Sequence, residues 1–295
     1  LCIMNMAVHG LNAKIISGDE ANSFYHDAHN LDGSCDYVMA NPPFNVDKVK
    51  AESTRNAGRL PFGLPGVNPK KEISNANYLW ISYFYSYLND TGRAGFVMPA
   101  SATDSGNRDR EIRKQLIQTG DVDCMISVAN NFFYKVTLPC SLWFFDKGKK
   151  EELKDKVLFI DSRNYYTVVD RTLNEWSEWQ MKNLNAIVWL HRGEIDKYKK
   201  LLRDYSSQII NDCKELDAEF ESLSVFLNGF NDKLAPLRTQ ISDIVKTAGD
   251  VNQLLPLNEL LKRYITELNA SVKAFIEYGA GLEKAEAKEF AKSFE

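Results

Sequence analysis

CDYVMANPPFNV, Cys35 to Val46, is the stretch whose reading decides the fold. Its first half, CDYVMA, is a short apolar run of the kind that forms a buried strand. Its second half stops that strand with two prolines and then presents an aromatic ring. In an open α/β sheet, ligands bind in the crevice at the carboxyl ends of the strands, so Asn41 is placed where a site is expected. Pro43 forces Pro42 into an extended conformation, and each ring fixes its own φ. The prolines therefore hold the backbone carbonyls stiffly and remove two N–H donors. What remains are two acceptors, the Asn41 side-chain oxygen and the Pro42 carbonyl, beside the flat ring of Phe44. Such a set suits a planar group bearing an exocyclic amine, and an adenine fits that description. Two acceptors on N6 favour a pyramidal nitrogen, which localises its lone pair for attack on an electrophile placed in line. Inside a duplex N6 is stacked away, so the base must be extruded at a cost of a few kcal/mol. Stacking on an aromatic ring returns about 1–3 kcal/mol.

On either side of this stretch, short apolar runs alternate with helical patterns. LCIMNMAVHGL reads as a helix ending at Gly10, and AKIIS (Ala13 to Ser17) as a short strand closed by Gly18-Asp19. NYLWISYFYSYLND (Asn77 to Asp90) reads as an apolar helix stopped by Thr91-Gly92. AGFVMP, VDCMISV, CSLWFFD and KVLFID are further strands, and REIRKQLIQTG is a helix. The alternation predicts an α/β domain on a largely parallel sheet. Residues 45–75, rich in Gly, Pro, Asn and Lys, have no period and read as a long loop. Loops beyond about 12–15 residues are uncommon in compact domains and are often functional. From about residue 190 the period becomes helical. Three amphipathic stripes are expected, broken at Asn228-Gly229 and Gly249-Asp250, and each requires a further surface to cover it.

Composition bounds the rest. The chain has 295 residues, 44% hydrophobic and 26% charged, which is enough for one large domain or two ordinary ones. No apolar run reaches the roughly 18 residues of a membrane span, and LCIMNMAVHG has neither the basic start nor the cleavage site of a signal peptide. Five dispersed cysteines without a CxxC pair point to reduced thiols in a cytoplasmic protein. A net charge of −4 gives no nucleic-acid footprint, so any grip on DNA must be local or come from a partner.

Several weaker signals have plainer readings. Pro139-Cys140 is similar to the nucleophile of cytosine-C5 methyltransferases, but this Cys opens an apolar strand and reads as a core thiol. His26 and His29 around Asp27 have no second ligand pair and read as a surface turn. GAGLE at Gly279 follows no strand and reads as a helix end. Arg108, Arg110, Arg113 and Lys114 read as a solvated helix face. Lys70 and Lys71 in the long loop have a better claim to meet DNA.

ANPPF, Ala40 to Phe44, resembles the [DNS]PP[YFW] motif of amino-methyltransferases that use S-adenosylmethionine. LCIMNMAVHGL, SGD, DYVMANPPFN, ANYLWI, GRAGFVMP, IRKQLI and VLFIDSRN also follow in the order of one family. That family is the modification subunit of type I restriction-modification systems, an N6-adenine DNA methyltransferase. The resemblance runs from Leu1 to about Asn164 and continues more weakly into the C-terminal helices. It implies an α/β fold: a Rossmann-like S-adenosylmethionine-dependent methyltransferase sheet, incomplete at its N-terminus, followed by an α-helical C-terminal region. Residues 1–190 would be the catalytic domain, and residues 191–295 a helical region docking partners. Asn41 and Pro42 would bind adenine N6, with Pro43 stiffening the turn, and Phe44 would stack on the base. Asp19 would contact the adenine moiety of the S-adenosylmethionine cofactor. The implied partners are DNA, a DNA-specificity subunit, a second modification subunit and a nuclease subunit, with no membrane.

The family's Gly-rich cofactor loop and ribose-binding acid belong before Leu1, and the chain does not open on Met. The family's strand order is 3-2-1-4-5-7-6, and this sequence begins at the helix before strand 3. The chain is therefore expected to be the C-terminal part of a subunit, inactive alone and binding the cofactor weakly or not at all; micromolar binding in calorimetry would contradict this. Two other functions fit parts of the sequence. Protein glutamine methyltransferases use a similar site, but usually with Tyr at the fourth position and without a long helical tail. A non-catalytic scaffold holding a specificity subunit would need the helices alone.

Overall fold

The computed structural model describes residues 2–133, 137–248 and 254–285. They form two compact units, Leu1–Glu194 and Ile195–Glu295.

The first unit is built on a five-stranded sheet. In chain order its elements are α1 (Cys2–Val8), β1 (Cys35–Ala40), β2 (Val49–Lys50), α2 (Ala51–Asn56), β3 (Glu72–Ile73), α3 (Asn77–Tyr87), β4 (Leu88–Pro99) and α4 (Asn107–Gln118). They continue with β5 (Val122–Val128), β6 (Cys140–Asp146), β7 (Leu158–Asp161), β8 (Thr167–Asp170), β9 (Leu173–Glu175) and α5 (Glu178–His191). The main sheet has the order β1-β4-β6-β5-β7. β1 runs parallel to β4, with Ala40 opposite Phe96, and β5 runs parallel to β7. β6 is antiparallel to both its neighbours: Ser141 lies opposite Met98 on one side and Ser127 on the other. The sheet is therefore mixed, not largely parallel. The order β1-β4-β6-β5 is the 4-5-7-6 portion of the order implied by the resemblance.

AKIIS does not form a strand. Residues 11–17 carry no regular structure, and their side chains are exposed or half-exposed. β-propensity does not stabilise a lone strand, because its N–H and C=O groups need a neighbour, and no strand of the described residues runs beside it. The edge strand β1 is correspondingly bare on one face, where Tyr37 and Met39 are 78% and 94% exposed.

The other face of β1 reaches the core. Val38 and Ala40 pack against a cluster that includes Phe96, Met98, Trp143 and Phe145 of the sheet, Tyr78, Ile81 and Phe84 of α3, and Ile112 and Leu116 of α4. The helix α3 ends at Tyr87, earlier than expected. Leu88 is already extended, pairs with Cys35, and is 1% exposed.

The region 45–75 is not an irregular loop. β2 and β3 pair antiparallel at its base, with Val49 opposite Ile73, and enclose α2. Val49, Ala51 and Ile73 bury themselves against Ala76, Leu79 and Tyr83. Fully burying an aliphatic or aromatic side chain contributes roughly 1.5–3 kcal/mol, so the segment is a folded cap with its own small core. α3 is thus buried on two sides, by the sheet through Tyr78, Ile81 and Phe84 and by the cap through Leu79 and Tyr83.

Among its described residues the second unit holds two helices, α6 (Ile195–Ala248) and α7 (Leu254–Ala285), in place of the three expected. Asn228-Gly229 and Pro236 lie inside α6. A helix-interior glycine costs only about 1 kcal/mol, so strong helix formers on both sides outweigh the local stop signal. The expected break at Gly249-Asp250 lies outside the described residues. Gly279 is likewise no helix end. It lies in α7 where the two helices meet, and a Cβ there would come within 2.6 Å of Cys213 Sγ. Many apolar side chains of this unit stay uncovered, among them Val225, Phe226, Leu237 and Tyr278. No helix of the described residues is long and apolar enough to cross a membrane.

Candidate active site

The NPPF stretch leaves the sheet directly after Ala40, the last residue of β1. Asn41 and Pro43 are exposed, Pro42 is buried and Phe44 is half-buried. Buried Pro42 anchors the turn. The Asn41 side chain has no hydrogen-bond partner, and Phe44 pairs with no other ring, among the described residues. Acceptor and ring are both available to a ligand. No residue of the stretch titrates, so whatever it does, it does with fixed dipoles and a flat surface.

The exit of the turn is locked. Asn45 has φ 54°, in the left-handed region that asparagine tolerates better than most residues. Its N–H donates to Asn77 Oδ1 at 2.9 Å, and its Oδ1 accepts from Asn77 Nδ2 at 2.9 Å and from Asn75 Nδ2 at 3.1 Å. Asn77 is the first residue of α3 and is 2% exposed. The N–H of Ala76 donates to the carbonyl of Val46, closing the base of the cap. Reading the sequence missed this lock. The available signal was an asparagine on each side of the long insertion.

Asp19 does not end a strand. It opens a short 3-10 turn, Asp19–Ala21, on an open recess of about 520 Å³. Gly18, Asn22, Tyr25 and His26 also line this recess. Its wall is tied to the cap and to α3: Lys50 N–H donates to Tyr25 Oη at 3.1 Å, and Tyr83 Oη–H donates to the Phe24 carbonyl at 2.9 Å. The Phe24 ring lies 4.4 Å from that of Trp80. The segment carrying Asp19 and the turn carrying Asn41 are therefore fastened to the same two elements. An exposed carboxylate beside a tyrosine ring can accept from the amino or hydroxyl groups of an adenosine and pack against its face, so the residues fit that part of the cofactor.

The weaker signals resolve as structural. Cys140 is 2% exposed, and burial pushes its thiol up to about 11, far from a nucleophile's range. Burial pushes Cys124 up to about 12, with the neighbouring carboxylate of Asp123 adding to the shift. His26 and His29 are exposed, and no group of three metal-ligating side chains occurs among the described residues. The basic helix divides: Arg110 and Lys114 are exposed, whereas Arg113 donates to Tyr78 Oη at 2.8 Å and to the Ser105 carbonyl at 3.0 Å. Lys70 and Lys71 stand exposed at the cap's tip, in a turn capped by Asn68.

A family model described as N-6 DNA methylase matches residues 1–212 of the chain, through the sheet, the NPPF turn and the first part of α6. The chain belongs to the N-6 DNA methylase family. It is 38% identical over 182 residues to the type I restriction enzyme MjaIX methylase subunit of Methanocaldococcus jannaschii, covering 61% of this chain and 32% of that protein. It is 32% identical over 178 residues to the HindI methylase subunit of Haemophilus influenzae, covering 60% and 38%. The chain thus spans about a third of the length of these curated relatives. The type I methyltransferase subunit of Streptococcus thermophilus superposes with a TM-score of 0.54 over 64% of this chain and 39% of that one, at 22% identity. That superposition supports the methyltransferase fold of this N-6 DNA methylase.

Proposed function

We propose that this chain carries the target-base site of an adenine-N6 DNA methyltransferase, working as the modification subunit of a type I restriction-modification complex. The observation that carries the reading is the turn at the end of β1: a free Asn41 amide, a buried Pro42 and an unpaired Phe44 ring, locked from behind by Asn45 and Asn77. Phe44 stacks on the extruded adenine. Asn41 Oδ1 and the Pro42 carbonyl accept the two N6 hydrogens and localise the nitrogen lone pair. S-adenosylmethionine, held in part by Asp19, would supply a methyl group activated by its positively charged sulfur. N6 would gain its bond to the methyl carbon as the S–CH3 bond breaks and the sulfur leaves with the electron pair as a neutral thioether, and N6 would then lose one proton to solvent, so the site needs no covalent adduct and no side-chain base. Proximity and orientation supply most of the acceleration.

The first unit, Leu1–Glu194, is the catalytic part of this proposal. The second, Ile195–Glu295, is its docking part. The uncovered apolar residues of α6 and α7 support contact with a DNA-specificity subunit, which reads the target sequence, and with the further subunits of the complex.

Asn41→Ala in the full polypeptide, assembled with its specificity partner, is the test. Losing the acceptor that localises the N6 lone pair is expected to cut the methylation rate by about 10²–10³ while assembly stays intact. Methylation at the wild-type rate would overturn the mechanism.

A further inference from the structure

Between the cap and the first turn of α4 lies an open recess of about 700 Å³. Two arginines line it: Arg55 from the last turn of α2, and Arg108 from the start of α4. Gly58, Gly63 and Gly66 line the remainder together with the apolar Leu60, Leu64, Pro65 and Val67, and no carboxylate is among the lining residues. Neither arginine has an ion-pair partner among the described residues. Arg108 is nevertheless held in place, since its Nε donates to the Leu64 carbonyl at 3.2 Å. Gly63, at φ +84°, lets the guanidinium lie against the chain, because a Cβ there would meet Arg108 Nη2 at 3.0 Å.

Arg59 lies between Gly58 and Leu60, both of which line the recess, and is itself 6% exposed. Its guanidinium sits 4.4 Å from the Tyr83 ring centroid and donates to Tyr87 Oη at 2.7 Å, but Nε and Nη2 have no acceptor. Its guanidinium is thus directed to the tyrosines of α3, and Arg59 is not one of the two arginines lining the recess. Burial raises the carboxyl of Asp109, the acid next to Arg108, while the N–H of Gly66 in the recess wall and the charge of Arg113 oppose that shift.

The recess also has a definite place. β1 and β4 are parallel, so the segments after Ala40 and after Pro99 leave the same edge of the sheet. One leads through Phe44 into the cap, and the other leads to Arg108. We propose that this recess binds a backbone phosphate of the DNA strand beside the extruded adenine, with Arg55 and Arg108 as its two arms. The proposal rests on the DNA-methyltransferase reading and deepens it. Planar guanidinium groups match phosphate oxygens in geometry as well as charge. Such a contact fixes register and orientation and carries no sequence information.

The test measures the affinity of the complete methyltransferase complex for a duplex oligonucleotide across a salt series. Each phosphate contact contributes about 0.9 to the slope of log K against log salt. Arg55→Gln/Arg108→Gln is therefore expected to flatten the slope by about 0.9 and to weaken binding roughly fivefold at about 0.15 M salt, for target and non-target duplexes alike, and Arg55→Gln alone to give part of both changes. Arg55→Lys, which keeps the charge, should restore the slope. The Arg55 side chain is exposed and makes no internal hydrogen bond among the described residues, so Arg55→Gln should fold normally. An unchanged slope and affinity in both Arg55→Gln and the Arg55→Gln/Arg108→Gln double variant would overturn the proposal. The enzyme reading fails separately: it falls if the wild-type complex neither binds nor methylates DNA. Asn41→Ala should keep the wild-type slope while losing methyl transfer.

Discussion

Replacing Asn77 by alanine tests whether the NPPF turn is positioned by its lock or by its prolines alone. The substitution removes two hydrogen bonds of 2.9 Å, one to the backbone and one to the side chain of Asn45. At about 1 kcal/mol each, the direct loss is roughly 2 kcal/mol. A stranded buried donor would add about 1–3 kcal/mol, but Asn45 is exposed, so water can take up its N–H and the total stays near 2 kcal/mol. For a unit of this size, that predicts a melting point lower by about 4–8 °C if the cap unfolds with the sheet. The effect on activity is larger. Without its partner, Asn45 is free to leave φ 54°, and Phe44, one residue earlier, swings with it. A displacement of about 1 Å in a positioning group can cost about 10²-fold in rate. The assay is methyl transfer at saturating DNA and cofactor, combined with hydrogen exchange over residues 41–77. Asn75→Ala is the control: it also removes two hydrogen bonds and should cost about as much stability, but only one of them holds Asn45, so the rate should fall less. A wild-type rate in Asn77→Ala, with exchange protection over 41–50 unchanged, would refute the lock.

Two further outcomes follow from buried contacts. Cys140 and Cys124 have thiols raised to about 11 and about 12 in the folded state, above the ordinary value of 9.0. Their burial therefore supports the fold fully below pH 9, and the support fades as pH rises through about 11 and then about 12. At pH 8 a thiol reagent followed by mass spectrometry should label exposed Cys2 quickly and leave these two untouched; labelling of Cys140 at the rate of Cys2 would contradict the burial. Gly279→Ala would set a Cβ 2.6 Å from Cys213 Sγ and 2.7 Å from its Cβ. Overpacking of about 1–3 kcal/mol outweighs the roughly 1 kcal/mol gained in helix propensity, so the helical unit should melt earlier in circular dichroism at 222 nm. Cys213→Gly should relieve the clash and Cys213→Ala should not, and a raised melting point in Gly279→Ala would contradict the packing.

Much of the sheet was legible because its central strands are buried on both sides. CSLWFFD and VDCMISV are nearly continuous apolar runs, and the structure buries most of each. AKIIS has the same local character but no neighbour to pair with. Strand propensity is a property of a segment, whereas a strand is a property of a pair. The reversal of β6 had a signal in the sequence that went unread. A parallel connection needs a crossover of a dozen or more residues, usually helical, and residues 129–139 offer neither the length nor the period. In α6 the opposite failure occurred: a strong local stop, Asn228-Gly229, was outvoted by long helical stretches on both sides.

The site divides along the same line. Asn41 to Phe44 could be read from the sequence because the prolines act on their own backbone, and what they do there depends little on the remaining fold. The lock could not, because Asn45 and Asn77 are 32 residues apart and each resembles an ordinary turn asparagine. The cap between them looked like a loop because Gly, Pro and Lys dominate its composition. Its few apolar residues, Val49, Ala51 and Ile73, are enough to seat it on α3. This seating makes turn and cap one mechanical unit. α3 places Tyr78 and Ile81 in the sheet core, Leu79 and Tyr83 in the cap core, and Asn77 against the residue that follows Phe44. A change that loosens the cap core, far from any ligand, is therefore transmitted to the base-stacking ring through a single asparagine pair.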